Sequence, residues 1–544
     1  MHKFIIIITL LLGGANVFAW GPGHDDQTEE ILKHLPAQLK TELTSKIKEK
    51  TIKEYSHYPD SFKPFDVEII GEEALLYLKV NKIAKRYDLH SDKGRAFCFI
   101  LLCRAIRNDE FERAFFWLAC LGHSSGDMSA CNHDPLIHIA TYDWKELPPP
   151  HAKAMKDLMP SLDLHWTANS KRGKSIYEST VKQFLSATQK HESIDEALLQ
   201  IMMYGHAGAR YTVARGSDIL SAAFNASSDQ KSRKKLYGSM SEIAAWATVR
   251  TIRDAKFAVR LKTAKTAPEW TEKIKQEHKE LMTEAVQTAN IKNDSLFKNI
   301  LTEDYKGIGV VLEPTWRMNE AALGFSSRYV AAALCERLKK ERREYCTIDV
   351  RKIATTDKFK LSPKKIPVII VIAANYQSYH SIRSPVISEK LSKYIRAGGK
   401  VIWVGGKTKP PEFILDKLGG SIHSASKLRW PLEVEKFIKG EIYFSNMEKS
   451  YTFFRNPKTQ AGWHRPECPY TFTGNKPLLI YKSPNLDEDL VIAAISRKVA
   501  FLPIYSLHPY LLGDPALIDL QSVSLDNPGW DIISYTLDQL EIGK

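Results

Sequence analysis

His123 and Asp127 close an aromatic-rich stretch, Ala114-Phe115-Phe116-Trp117-Leu118-Ala119-Cys120-Leu121-Gly122-His123-Ser124-Ser125-Gly126-Asp127. If one helix runs through it, the two side chains stand a turn apart on the same face, so an imidazole and a carboxylate can meet one cation. Nitrogen plus oxygen ligation suits zinc. An isolated pair at this spacing also forms ordinary surface hydrogen bonds, so the pair needs company. Company is offered at the other end of the chain. Residues 1–19 open with Lys3, run apolar from Phe4 to Leu12 and end in Val17-Phe18-Ala19, the pattern of a secretory signal peptide. Cleavage after Ala19 leaves Trp20 with a free α-amine that is partly neutral near pH 7. That amine and the Trp20 carbonyl can form a chelate ring, and His24 follows in Trp20-Gly21-Pro22-Gly23-His24 to add an imidazole.

The elements that must position these groups are mainly helical up to about residue 300. Apolar residues recur at three- and four-residue spacing over Gln27–Leu35, Glu72–Ala84, Gly94–Ile106, Glu110–Leu121, Ser175–Ala187 and Ile194–Tyr204, and charged helices follow, including Glu269–Ala289. After Asp304 the texture changes. Short, continuous β-branched runs at Ile308–Leu312, Ile366–Ala373 and Val401–Val404 alternate with helical runs at Tyr329–Lys340 and Ser388–Arg396. That alternation predicts a parallel sheet with crossover helices. The expected organisation is therefore a signal peptide (1–19), an all-α metal-binding domain (20–300) and an α/β domain (301–544), in a chain too long for one core.

Two distant motifs, the N-terminal Trp20-Gly21-Pro22-Gly23-His24 and His123-x-x-x-Asp127 with His133 ten residues after His123, resemble those of the zinc-dependent phospholipases C and the related single-strand-specific nucleases. The resemblance covers about residues 20–180. It implies a helical fold holding two or three zinc ions, with Trp20, His24, Asp60, His90, His123, Asp127, His133 and Glu178 as ligands. Asp127 would bridge two ions, and Asp60 would border them and act as general base. His57 competes with His90, which is favoured by its place just before the Gly94 helix. His138 follows Pro135 as the family's next histidine does, whereas His133 has the spacing. The chain then departs from the pattern, which asks for His-x-x-x-Glu. Lys174 stands in the histidine position before Glu178, Asn169 in the acid position after His165, His151 has no acid four residues on, and His191-x-x-x-Asp195 lies late.

The implied activity is hydrolysis of a phosphodiester by metal-activated water, with a phospholipid as the first substrate class, nucleic acid as the alternative, and peripheral contact with a membrane surface. A secreted binding protein with a degenerate metal site is the contrasting reading. A formal charge of +14 favours anionic partners, although scattered charges also describe a generic basic surface. No segment after the leader approaches 18 uninterrupted apolar residues, so a secreted or periplasmic protein without a membrane span is expected.

Residues 305–544 resemble a class I glutamine amidotransferase-like α/β domain, seen in Gly307-Ile308-Gly309-Val310-Val311-Leu312 and in Tyr394-Ile395-Arg396-Ala397-Gly398-Gly399-Lys400-Val401, which reads as helix, glycine turn and strand. The nucleophile motif Gly-x-Cys-x-Gly does not occur, which argues against amidotransferase chemistry. Gly405-Gly406-Lys407 reads as a loop turn. The cysteines Cys98, Cys103, Cys120, Cys131, Cys335, Cys346 and Cys468 are an odd set for an oxidising compartment, and the first three sit in apolar helical runs as small buried groups. A cysteine hydrolase would need Cys335, Cys346 or Cys468 activated by a histidine.

Overall fold

The computed structural model describes residues 22–46, 48–129, 171–225, 230–288, 300–312, 327–355, 360–372, 385–405, 410–424, 439–444, 450–454, 470–482, 488–503 and 528–541. Trp20, His133, His138, His151 and His165 lie outside the described residues, as do Cys131, Cys468 and the leader.

Up to residue 288 the described regular elements are helices: α1 (Pro22–Lys33), α2 (Ala37–Lys46), α3 (Glu49–Ser56), α4 (Val67–Ile70), α5 (Glu72–Val80), α6 (Asp92–Arg107), α7 (Phe111–Ser129), α8 (Lys171–Ala187), α9 (Ile194–Asn225), α10 (Gln230–Arg260) and α11 (Glu272–Thr288). Three short 3-10 turns, Tyr58–Asp60, Arg86–His90 and Leu261–Thr263, interrupt them. Helix α6 starts where Ser91 caps it, its Oγ accepting from the Gly94 amide, and it places Asp92 in the first turn with Arg104 and Arg107 in the last, matching the helix dipole. Helices α6 and α7 are buried almost all round, which their aromatic and aliphatic content permits. The core runs from Ile31 to Ile274 and includes Phe97, Phe99, Phe115, Phe116 and Trp117.

From residue 308 onward come eleven strands among the described residues: β1 (Ile308–Leu312), β2 (Tyr345–Asp349), β3 (Val368–Ile372), β4 (Lys400–Gly405), β5 (Ser421–Ser424), β6 (Lys439–Phe444), β7 (Ser450–Phe454), β8 (Tyr470–Thr473), β9 (Lys476–Lys482), β10 (Leu490–Ile495) and β11 (Val499–Pro503). Helices α12 (Ser327–Lys340), α13 (Val350–Thr355), α14 (Pro385–Arg396), α15 (Glu412–Leu418) and α16 (Pro528–Gln539) accompany them. Nine strands form one sheet in the order β2-β1-β3-β4-β11-β10-β9-β6-β7, and β5 pairs with β8 separately.

The expectation of a parallel sheet holds for only part of it. The β2-β1-β3-β4-β11 segment is parallel, and from β11 to β7 every pairing is antiparallel. The reason is local: Ser496–Lys498 alone joins β10 to β11, and a link that short can only reverse the chain. The predicted helix, glycine turn and strand around Gly398 is found, with Gly398 at φ +101° between α14 and β4. A Cβ on Gly399 would lie 2.3 Å from the Tyr394 ring, whose hydroxyl donates to the Ile366 carbonyl at 2.6 Å, so glycine is needed there. A second core, from Val311 to Phe501, belongs to these elements and shares no residue with the first.

Candidate metal centre

Helix α7 continues through His123 to Ser129, so His123 and Asp127 do stand one turn apart, and both are buried. Asp60 closes one 3-10 turn and His90 the other. Main-chain hydrogen bonds from Tyr87 N to Ser61 O (3.0 Å) and Arg86 N to Lys63 O (3.2 Å) lace the two turns together. Ser124 Oγ donates to Leu89 O at 3.0 Å, which fastens the second turn to α7. Gly94 allows close packing on the other side, since a Cβ there would lie 2.3 Å from Asp88 O.

These constraints bring Asp60, His90, His123 and Asp127 together, with one potential ligand atom from each lying within 4.8 Å of all the others. His90 Nε2 is 3.0 Å from His123 Nε2, 3.0 Å from Asp127 Oδ2 and 3.4 Å from Asp60 Oδ1. His123 Nε2 is 3.2 Å from Asp60 Oδ1 and 3.4 Å from Asp127 Oδ2. The outer nitrogens are directed elsewhere. His123 Nδ1 donates to Ser56 O at 2.6 Å and His90 Nδ1 to Tyr87 O at 3.0 Å. Those two carbonyls set the tautomers, leaving both Nε2 lone pairs aimed at one point. Two lone pairs and two carboxylate oxygens that converge in a buried space require a cation or a shared proton among them. The donor set, two imidazoles and two carboxylates, fits a divalent metal ion.

The electrostatics agree. Burial would push the His123 imidazole down, but the Asp60 and Asp127 carboxylates outweigh it and raise the pKa to about 10. Burial would raise Asp60, yet His123 and His90 hold it well below the usual carboxylate range. His123 and Asp60 hold one another charged, and a cation can take the place of the proton.

His24 joins from the first turn of α1. Its ring stacks on that of His123 with centroids 3.8 Å apart, and its Nε2 lies 3.2 Å from Asp127 Oδ1. Asp127 thus turns Oδ2 toward His90 and His123 and Oδ1 toward His24. Burial and the neighbouring His123 lower His24 to about 4, so its imidazole is neutral at pH 7.

The remaining expected ligands fare differently. Glu178 is not brought into the cluster; it lies on α8 with Oε1 2.9 Å from Lys33 Nζ. His57 also stays outside, 3.1 Å from Asp25 Oδ1, which in turn accepts from Ser56 Oγ at 2.7 Å. His191 is committed to Asp254 at 2.6 Å, deep in the helical core. Sequence reasoning missed Arg95. Fully buried, it donates through Nη1 to the His90 carbonyl at 2.7 Å and through Nε to Ile201 O at 3.3 Å, and it meets Asp92 Oδ1 at 2.5 Å. An arginine at the head of the otherwise apolar run Ala96–Leu102 was the signal that could have found it.

The two described C-terminal thiols are not poised for nucleophilic chemistry: Cys335 sits in α12 and Cys346 in β2, both buried, and burial pushes Cys346 up to about 11 and Cys335 well above its ordinary value. No described helix is long and apolar enough to cross a membrane. No protein-family model, curated protein or solved structure matches the chain.

Proposed function

We propose that the chain is an exported zinc-dependent phosphodiester hydrolase of the phospholipase C-like kind, with Asp60, His90, His123 and Asp127 holding a zinc ion. The observation that carries this reading is the convergence of the two Nε2 lone pairs, 3.0 Å apart, on the carboxylates of Asp60 and Asp127. His24, facing the second oxygen of Asp127, is the start of a second site that the Trp20 amine and carbonyl would complete.

Zinc bound there would supply a Lewis acid that draws charge from phosphoryl oxygens and lowers the pKa of attacking water. The chain's own residues do the rest. The Ser56 and Tyr87 carbonyls hold the ligand imidazoles in their metal-binding tautomers. Asp60 has a side chain 17% exposed, but its Oδ2 is itself buried and has no hydrogen-bond partner among the described residues, while Oδ1 faces the histidines. Asp60 Oδ2 is therefore available to orient the nucleophilic water and accept its proton.

Elemental analysis of protein secreted with its natural N-terminus tests the reading, together with turnover of a phosphodiester. Stoichiometric zinc, lost along with hydrolysis in His123→Ala and Asp127→Ala, is expected. Addition of one residue before Trp20 should remove about one further ion. Absence of zinc from the wild-type chain would refute the proposal. Zinc without turnover of any phosphodiester would instead favour the binding-protein reading, which the engagement of Glu178 with Lys33 supports.

A further inference from the structure

A cavity of about 680 Å³ adjoins the centre and shares His90 with it; Met128, the neighbour of Asp127, also lines it. Its wall carries Lys82, Lys93 and Lys275, and its apolar part includes Trp270 and Met202. Two acids face it as well, and both are answered. Asp92 meets Arg95 at 2.5 Å and His278 Nε2 at 3.4 Å, and Glu272 meets Lys275 at 3.1 Å. Lys93 reaches the Asn81 carbonyl and stands 5.6 Å from the Trp270 ring centroid. Burial, followed by repulsion from Lys275 and Lys82, lowers its pKa. Lys93 with two further ammonium groups near enough to repel it, beside an indole and the thioethers of Met128, Met202 and Met282, describes a site for an anion attached to an apolar or aromatic body.

We propose that this cavity is a substrate subsite, taking a second phosphate of a phosphodiester whose organic part lies against Trp270 and Met128 while the scissile group sits at the metal centre. The assignment rests on the hydrolase reading of that centre. A phosphorylated nucleotide chain and a phosphorylated lipid headgroup both offer this chemistry.

The test is calorimetric titration of the zinc-loaded, full-length protein with two bisphosphates that a diesterase cannot cleave, thymidine 3′,5′-bisphosphate and an inositol bisphosphate, and with inorganic phosphate. The variant is Lys82→Gln/Lys275→Gln, two exposed side chains whose exchange leaves the core untouched. At least one bisphosphate should lose about tenfold in affinity, the scale of one charge-assisted hydrogen bond, while inorganic phosphate binding and zinc content stay as in wild type. Which bisphosphate responds identifies the source. Unchanged affinity for both, or an equal loss for inorganic phosphate, overturns the subsite. If wild-type protein holds no zinc yet binds a bisphosphate in a lysine-dependent way, the hydrolase reading falls and the anion site stands. Phosphodiester turnover with lysine-independent bisphosphate binding does the reverse: the subsite falls and the hydrolase reading stands.

Discussion

At the scale of single residues, the proposed centre would exchange protons for a cation. In the metal-free chain His123 has a folded-state pKa of about 10 against an ordinary 6.5, so its contribution to stability is complete below about pH 6.5 and is lost as pH rises through 10. Asp60 acts in the other direction, stabilising above its unfolded value near 3.8 and ceasing to do so as pH falls through its depressed folded value. Chelator-treated protein should therefore lose thermal stability between about pH 6.5 and 10, and the zinc-loaded form should lose less, as thermal melts across that range would register. Zinc titrated at pH 7 into buffers of different ionisation enthalpy should release at least one proton per ion. Arg95 supplies the second residue-scale test. Arg95→Met removes the fork that joins the His90 carbonyl to Asp92 and to α9, leaving a carboxylate poorly paired, and should cost about 3–5 kcal/mol in denaturant unfolding. Arg95→Lys should recover little, because an ammonium cannot reproduce three directions of donation.

Among elements, the notable construction is a candidate ligand, His90, carried on a short 3-10 turn and clamped by its neighbours. The Arg86–His90 turn is tied to the Tyr58–Asp60 segment by main-chain bonds, to α7 through Ser124 and to α6 through the Ser91 cap. Gly94→Ala places a Cβ 2.3 Å from Asp88 O and 2.5 Å from Leu89 Cα, against backbone that has no flexible end to yield. It should destabilise the fold by about 1–3 kcal/mol and weaken zinc binding about 10- to 100-fold, measured by unfolding and by competition with a chromophoric chelator. Ser91→Ala, which removes only the cap, should cost about 1 kcal/mol with a smaller effect on zinc. A loss of zinc affinity in Ser91→Ala as large as in Gly94→Ala would mean that cap energy, not the position of the turn, governs the site.

At the largest scale, two hydrophobic cores among the described residues with no residue in common, one among helices and one around a mixed sheet, predict two calorimetric transitions. Removing the metal should lower only the transition of the helical part. Alkylation of the native chain should leave Cys98, Cys103, Cys120, Cys335 and Cys346 unmodified in peptide mapping, because all five are buried. Much of this organisation was legible in the chain. The 3.6-residue period located α6 and α7 and put His123 and Asp127 on one face, and continuous β-branched runs located β1, β3 and β4, because such patterns are properties of neighbouring residues. Asp60 and His90 were reached through likeness to a family rather than through any local pattern, since two candidate ligands thirty residues apart meet only when the 3-10 turns are laced together. Glu178 matched a spacing, and its helix instead turns it toward Lys33. Leu490–Ile495 is as apolar as a buried parallel strand, and the pairing of β10 with β9 and β11 made it antiparallel. Periodicity along the chain decides which face of an element is buried. Which faces meet, and therefore which distant side chains share a cation or a strand partner, is decided by long-range packing that no local window contains.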